Sequence, residues 1–208
     1  VPHVVVFGLA EKEVVPDELR WALSVKTVGG VVAEVSENHS SDVSNVLAYL
    51  KESGLSGKEV KTSRMQLNEN MVYRDNSRSR EGYYAFTQIT FTISDTARYL
   101  EYWQGLSNFK NLTISSVSFA VSDRQVVQDE TMVVAVKNAR EKAVSLAAAL
   151  GAAVLRPLLI EEIDSYLPRP QNVMRSMEMS DSSSVMGISP GFETVQARVK
   201  VFFEIADR

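Results

Sequence analysis

Histidine is the side chain best suited to moving a proton near neutral pH, and this chain carries two, His3 and His39. His39 falls on the apolar stripe of a helical segment, where a single imidazole reads as a packing residue. Neither histidine has the clustered companions at defined spacing that a zinc site needs. A serine nucleophile needs a base beside it, commonly on a strand-to-helix elbow. Gly54-Leu55-Ser56-Gly57 has the wrong spacing and follows a helix. Gly29-Gly30 precedes a helix, but the lysine and further glycines of a phosphate loop are missing. Glu161, Glu162 and Asp164 gather carboxylates at a strand end with no partner group for acid–base work. Arg74, Arg78 and Arg80, flanked by Tyr73, Tyr83 and Tyr84, have the composition of a single-strand nucleic-acid surface. Asp75 and Glu81 dilute that charge, so a solvated loop is the better reading. Last come Met174, Met177 and Met179, with Met186 beyond. Soft thioethers suit Cu(I) and take up oxidants as sulfoxides; the bland reading is a flexible loop or a packed subunit contact. No residue is assigned a catalytic role and no cofactor is expected.

Composition narrows the classes further. A chain of 208 residues, 45% hydrophobic and 23% charged, can bury a sizeable core. A formal charge of −4 offers no concentrated basic face, so nucleic acid is not an expected partner. No apolar run approaches the roughly 20 residues of a membrane-spanning helix. Cysteine is absent, which removes disulfides, thiolate catalysis and cysteine metal sites. The chain opens on Val1, and this start reads as processed, with any targeting sequence already gone.

The elements follow from periodicity. Val4 to Gly8 is a β-branched run, and after Pro16-Asp17 the residues Leu19, Trp21, Leu23 and Val25 alternate with polar partners. Val32, Val35, His39, Val43, Val46, Leu47 and Leu50 then recur three or four apart, marking a helix that Gly54 is placed to stop. Val60 to Leu67 predicts a strand, Asn68 to Glu81 a long solvated hairpin loop, and Tyr83 to Ile93 a cleanly alternating strand. Asp95 can cap a short helix carrying Tyr99, Leu100, Trp103 and Leu106. Leu112 to Val121 is a strand with a parity slip near Ser115-Ser116, as at a bulge. Val126 to Leu150 is the longest helix, with a seam of Met132, Val136, Ala139, Ala143, Leu146 and Leu150 and a stop at Gly151. Val154 to Ile163 is a strand that Pro157 pushes towards an edge. A Pro-, Ser- and Met-rich excursion at about 164–190 has no period and is expected to be mobile. Val195 to Ile205 closes the chain as a strand. The order β-β-α-β-β-α-β-α-β-β predicts an α+β fold, a mainly antiparallel sheet with long helices packed on it.

These segments resemble the SIMPL-domain family of bacterial envelope proteins. The resemblance is carried by Val6-Phe7-Gly8, Pro16-Asp17, Asn38, Leu50, Gly54-Leu55 and Val60-x-Thr62, then Tyr73, Gly82-Tyr83-Tyr84-Ala85 and Asp95. It continues through Asn138-Ala139-Arg140-Glu141-Lys142-Ala143, Ala147 to Gly151 and Ile188-Ser189-Pro190-Gly191. It departs at Phe192, where the family commonly has an acidic residue. The resemblance implies one SIMPL-like domain over residues 1–208 in an exported protein, periplasmic or outer-membrane associated, able to form ring- or channel-like assemblies. It also implies a link to oxidative-stress defence, and it supplies no catalytic residue.

Two functions are therefore expected, in order. The first is a non-enzymatic, self-assembling envelope protein, a homo-oligomer whose association with membrane the residues leave open. The alternative is a small-ligand or metal-binding protein that handles copper or oxidants through Met174, Met177 and Met179. The expected self-contact residues are Ala139 and Ala143 on the long helix, and Tyr84, Phe86 and Phe202 at outward strand positions.

Overall fold

The computed structural model describes residues 1–74, 77–163 and 190–207. Its elements are β1 (His3–Val14), β2 (Glu18–Gly29), α1 (Val32–Glu52), β3 (Val60–Thr62), β4 (Gln66–Arg74) and β5 (Ser77–Ile93). A single 3-10 turn (Thr96–Arg98) leads into α2 (Tyr99–Leu106), followed by β6 (Leu112–Ala120), α3 (Arg124–Ala149), β7 (Ala152–Glu162) and β8 (Glu193–Asp207). The fold is α+β, and every strand pairing is antiparallel. The chain, expected as one domain, divides into two compact units: Val1–Pro16 with the chain from Val121 onward, and Asp17–Ala120.

The first unit is a three-stranded sheet, β1-β8-β7, covered on one face by α3. Register pairs Val6 with Val201, Gly8 with Val199 and Ala10 with Ala197. Against these, α3 buries Thr131, Ala135, Ala139, Ala143 and Ala147. The spacing of four places the small side chains in one row, and that row lets the helix backbone close on the strands. A methyl group built on Gly8 would fall on the Ala135 carbonyl oxygen and 2.9 Å from the Ala139 Cβ. Only glycine leaves room there. Asn138 completes the contact by donating to the Leu9 carbonyl at 2.9 Å.

This packing corrects the expected seam. Leu146 and Leu150 are exposed, and Met132 and Val136 lie only at the margin of the buried row. A leucine pointed at Gly8 would hold the helix away from the strand, so the alanine face wins. It also corrects the expectation that Ala139 and Ala143 meet a second chain: both are fully buried within this one. β7 is an edge strand whose register shifts on either side of Pro157, as the missing N–H requires.

The second unit is a sheet in the order β3-β5-β2-β6, with β4 also paired to β5. Leu19, Trp21, Leu23 and Val25 of β2 meet Ile89, Phe91 and Ile93 of β5 in one core with Val46 and Leu50 of α1 and Tyr102 and Leu106 of α2. Trp21 stacks on its register partner Phe91 with centroids 5.6 Å apart and planes 8° from parallel. The parity slip at Ser115 is a bulge: Ala22 pairs with Ser116 and Leu23 with Ile114. Asp95 accepts from the Ala97 amide at 3.1 Å and so caps the 3-10 turn that leads into α2, whereas α2 itself, expected to take that cap, starts after Arg98 with no side-chain cap.

The expected loop at 68–81 is strand instead. β4 and β5 continue through it, pairing Tyr73 with Arg78 and Arg74 with Ser77. Tyr73, Arg78 and Arg80 are exposed, so both parities are polar and the period-2 signal vanishes although the ladder does not. The expected single strand at 60–67 is two, β3 and β4, separated by Ser63 to Met65.

Candidate functional site

Among the described residues, the densest hydrogen-bonded set of polar side chains centres on His39. The helical period of α1 turns His39 towards the sheet, where it is 1% exposed. Its Nδ1 lies 3.0 Å from Thr27 Oγ1 on β2, and its Nε2 lies 2.8 Å from Thr87 Oγ1 on β5. Thr27 donates to Asp42 Oδ2 at 2.8 Å, and the Asn111 amide donates to the same oxygen at 2.9 Å. Counting protons assigns the tautomer. The Thr27 hydroxyl has one hydrogen and gives it to Asp42, so it must accept from an N–H at Nδ1. Nε2 is then a lone pair and accepts from the Thr87 hydroxyl. Burial pushes the His39 pKa below its ordinary value, with the Asp42 charge pulling the other way.

A hydroxyl donating to an imidazole is the pairing of a nucleophile with its base. Two features prevent that use here. Thr27 and Thr87 are themselves buried, so no substrate reaches either oxygen. In a catalytic triad the carboxylate bonds the imidazole and stabilises its cation, whereas Asp42 bonds Thr27 instead. The network fastens α1 to β2 and β5, and His39 is a packing residue that satisfies its own polarity.

The other candidate groups do not converge. Glu161 pairs with Lys200 at 3.2 Å and Glu162 is exposed. Among the described residues no three His, Cys, Asp or Glu side chains are grouped to hold a metal ion. Arg80 pairs with Glu69 at 3.1 Å across the β4–β5 ladder, and its guanidinium lies 5.4 Å from the Tyr83 ring centroid. Gly29-Gly30 leads into α1, where Val35 packs so close to Gly29 that a Cβ would collide with it. A shallow depression of about 600 Å³ on the polar face of the second unit is lined by Glu18, Arg20, Lys61, Thr90 and Ser118 among others. Its charges are of both signs, with Arg20 and Glu18 set 3.8 Å apart. Met174, Met177 and Met179 lie outside the described residues.

The expected contact residues at strand positions fall in different units. Tyr84 and Phe86 are half-buried on β5, with the Lys26 ammonium 4.7 Å from the Tyr84 ring centroid. Phe202 is half-buried on β8, under the Lys200 ammonium at 4.8 Å. Sequence reasoning missed the neighbours of Phe202. Val5, Phe7 and Leu9 all face outward on β1 and are all exposed, although their odd-numbered parity inside an apolar run was a signal open to reading.

A family model described as SIMPL, protein of unknown function (DUF541), matches residues 4–203. The chain is similar to the uncharacterized protein YggE of Edwardsiella ictaluri (strain 93-146), 22% identical over 99% of this chain and 87% of that protein. It is also similar to the uncharacterized protein YggE of Escherichia coli (strain K12), 23% identical over 70% of this chain and 59% of that one.

Proposed function

The chain belongs to the SIMPL family, and from that premise we propose that it is a non-enzymatic envelope protein that works as a self-assembled homo-oligomer. Its place is the periplasm or the outer-membrane surface, in stress defence, as the resemblance implies. The observation that carries self-assembly is on β1. Its inward residues meet α3, yet Val5, Phe7 and Leu9 stay exposed on the outward side of the same strand. A strand with one face on a core and the other in water is polar on the other; a second apolar row fits a second contact.

The non-enzymatic reading is supported by His39, the imidazole whose hydroxyl pairing is sealed from substrate. Light scattering on the purified protein from sub-micromolar to tens of micromolar is expected to give a mass above that of one chain. A mass of one chain throughout removes the assembly reading. Ester, phosphate and peptide substrates are expected to show no turnover above a His39→Leu control. A rate that this substitution abolishes removes the non-enzymatic reading.

A further inference from the structure

We infer that the outward face of the β1-β8-β7 sheet is the surface on which a second copy of this chain docks, sheet against sheet. The inference rests on the self-assembly reading and says where the contact lies. An antiparallel sheet with one face on its own core and the other in water alternates apolar and polar along each strand. β8 keeps that rule from Gln196 to Lys200, with Gln196, Arg198 and Lys200 between its buried valines and alanine, and departs from it at Phe202. β1 breaks it. Its inward positions Val6, Gly8 and Ala10 meet α3, and its outward positions are Val5, Phe7 and Leu9, which are 39%, 43% and 54% exposed.

Register assembles these residues into one patch. Val5 lies opposite Phe202, and Phe202 lies opposite Leu159 of β7 on its other side, so an apolar row crosses all three strands. The next row is Phe7, Lys200 and Glu161, and the one after begins Leu9 and Arg198. The two cations do not break the patch. The Arg198 guanidinium lies 5.0 Å from the Phe7 ring centroid and the Lys200 ammonium 4.8 Å from that of Phe202. Each therefore lies over an aromatic ring and adds its own apolar stem to the surface.

Charge identifies the occupant. Beside Arg198 the same face carries Glu11 on β1, while Lys200 and Glu161 on β7 already match each other within the chain at 3.2 Å. A surface holding both signs can meet a copy of itself with cations set against carboxylates, as an isologous contact requires. An anionic lipid surface would meet those carboxylates with repulsion, and the whole chain is acidic at −4. Size agrees. Three strands of about 12 residues, at ~3.3 Å per residue and ~4.8 Å between strands, present roughly 550 Å². Two such faces in contact bury on the order of 1,100 Å², at the lower bound for a specific interface.

The test is sedimentation velocity over a range of concentrations. It compares wild type with a Phe7→Glu/Leu9→Glu variant and, because charged residues cost strand stability, with a Phe7→Thr/Leu9→Thr/Leu159→Thr variant that puts strand-favouring β-branched residues there instead. Near-UV circular dichroism confirms that each is folded. A Val133→Glu/Leu146→Glu variant on α3 is the comparison. The expected result is an assembled wild type whose dissociation constant rises at least about tenfold in both sheet variants. An assembled wild type that only the α3 variant weakens overturns the sheet-face contact and leaves self-assembly standing. A monomeric wild type at tens of micromolar overturns both. If that monomer also sediments with phosphatidylglycerol vesicles and Phe7→Glu/Leu9→Glu does not, the face belongs to lipid.

Discussion

Thr27, His39 and Thr87 show how a polar group survives in a core: each imidazole nitrogen has one hydroxyl of the right polarity. Replacing His39 by leucine would leave the Thr87 hydroxyl buried without that acceptor, at a cost of about 2 kcal/mol. The pH dependence follows from the lowered pKa. The unfolded chain takes up a proton near 6.5, while the folded state resists it. Below that pH the unfolded state binds more protons, so wild type loses stability as pH falls, by at most ~1.4 kcal/mol per pH unit from this group. His39→Leu lacks that loss. Urea midpoints at pH 7.5, 6.5 and 5.5 are therefore expected to show the gap between the two proteins narrowing towards acid. Parallel lines would mean that His39 does not titrate as argued. The helical period of α1 was enough to read His39 as a packing residue. Its partners were not legible, because a threonine at an inward strand position looks like any β-branched core residue until the register is known.

The rotation of α3 about its own axis shows the same gap between pattern and packing. Periodicity announced a helix from about Val126 to Leu150, and the observed span is Arg124–Ala149. The choice of face went to the larger side chains, because hydropathy ranks leucine above alanine. At the sheet the deciding quantity was distance. Gly8 brings the strand backbone against Ala135, and only alanine fits there. Gly8→Ala is expected to lower stability by about 2–3 kcal/mol through overpacking against a backbone oxygen that cannot rotate away. Leu150→Ala, at an exposed position, is expected to change stability by less than about 0.5 kcal/mol. Chemical denaturation of the two variants distinguishes the packings, and equal effects would put the buried seam back at Leu150. The β4–β5 ribbon was missed for the opposite reason. With polar residues on both parities it offers no hydrophobic alternation, and only its backbone ladder makes it a strand.

At the scale of the molecule, the chain leaves the first unit after Pro16 and returns to it at Val121. The residues do not single out these crossings: the first reads as a turn between two strands and the second as the step from a strand to a helix, like any other connection, and the family match spans the two units without a break. The structure shows what makes the second unit separable. Its ends meet: the Asp17 amide donates to the Ala120 carbonyl at 3.0 Å, and Glu18 pairs with Ala120 at the end of the β2–β6 ladder. Its core, from Leu19 through Leu106, is drawn entirely from within Asp17–Ala120. At about 100 residues it has the size of an ordinary independent domain. A segment with its own core and adjacent ends is an insertion that can be excised at little cost in backbone pairing. Residues 17–120 expressed alone are therefore expected to fold cooperatively. The reporter is internal, because the Trp21 ring stacked on Phe91 and set 5.5 Å from Tyr99 requires fixed packing to give a near-UV signal. A sharp thermal transition in that signal, coincident with loss of helix in the far UV, is the expected result. A fragment with strand and helix content but no near-UV signal would be a molten state, and it would show that the core of 17–120 depends on the rest of the chain.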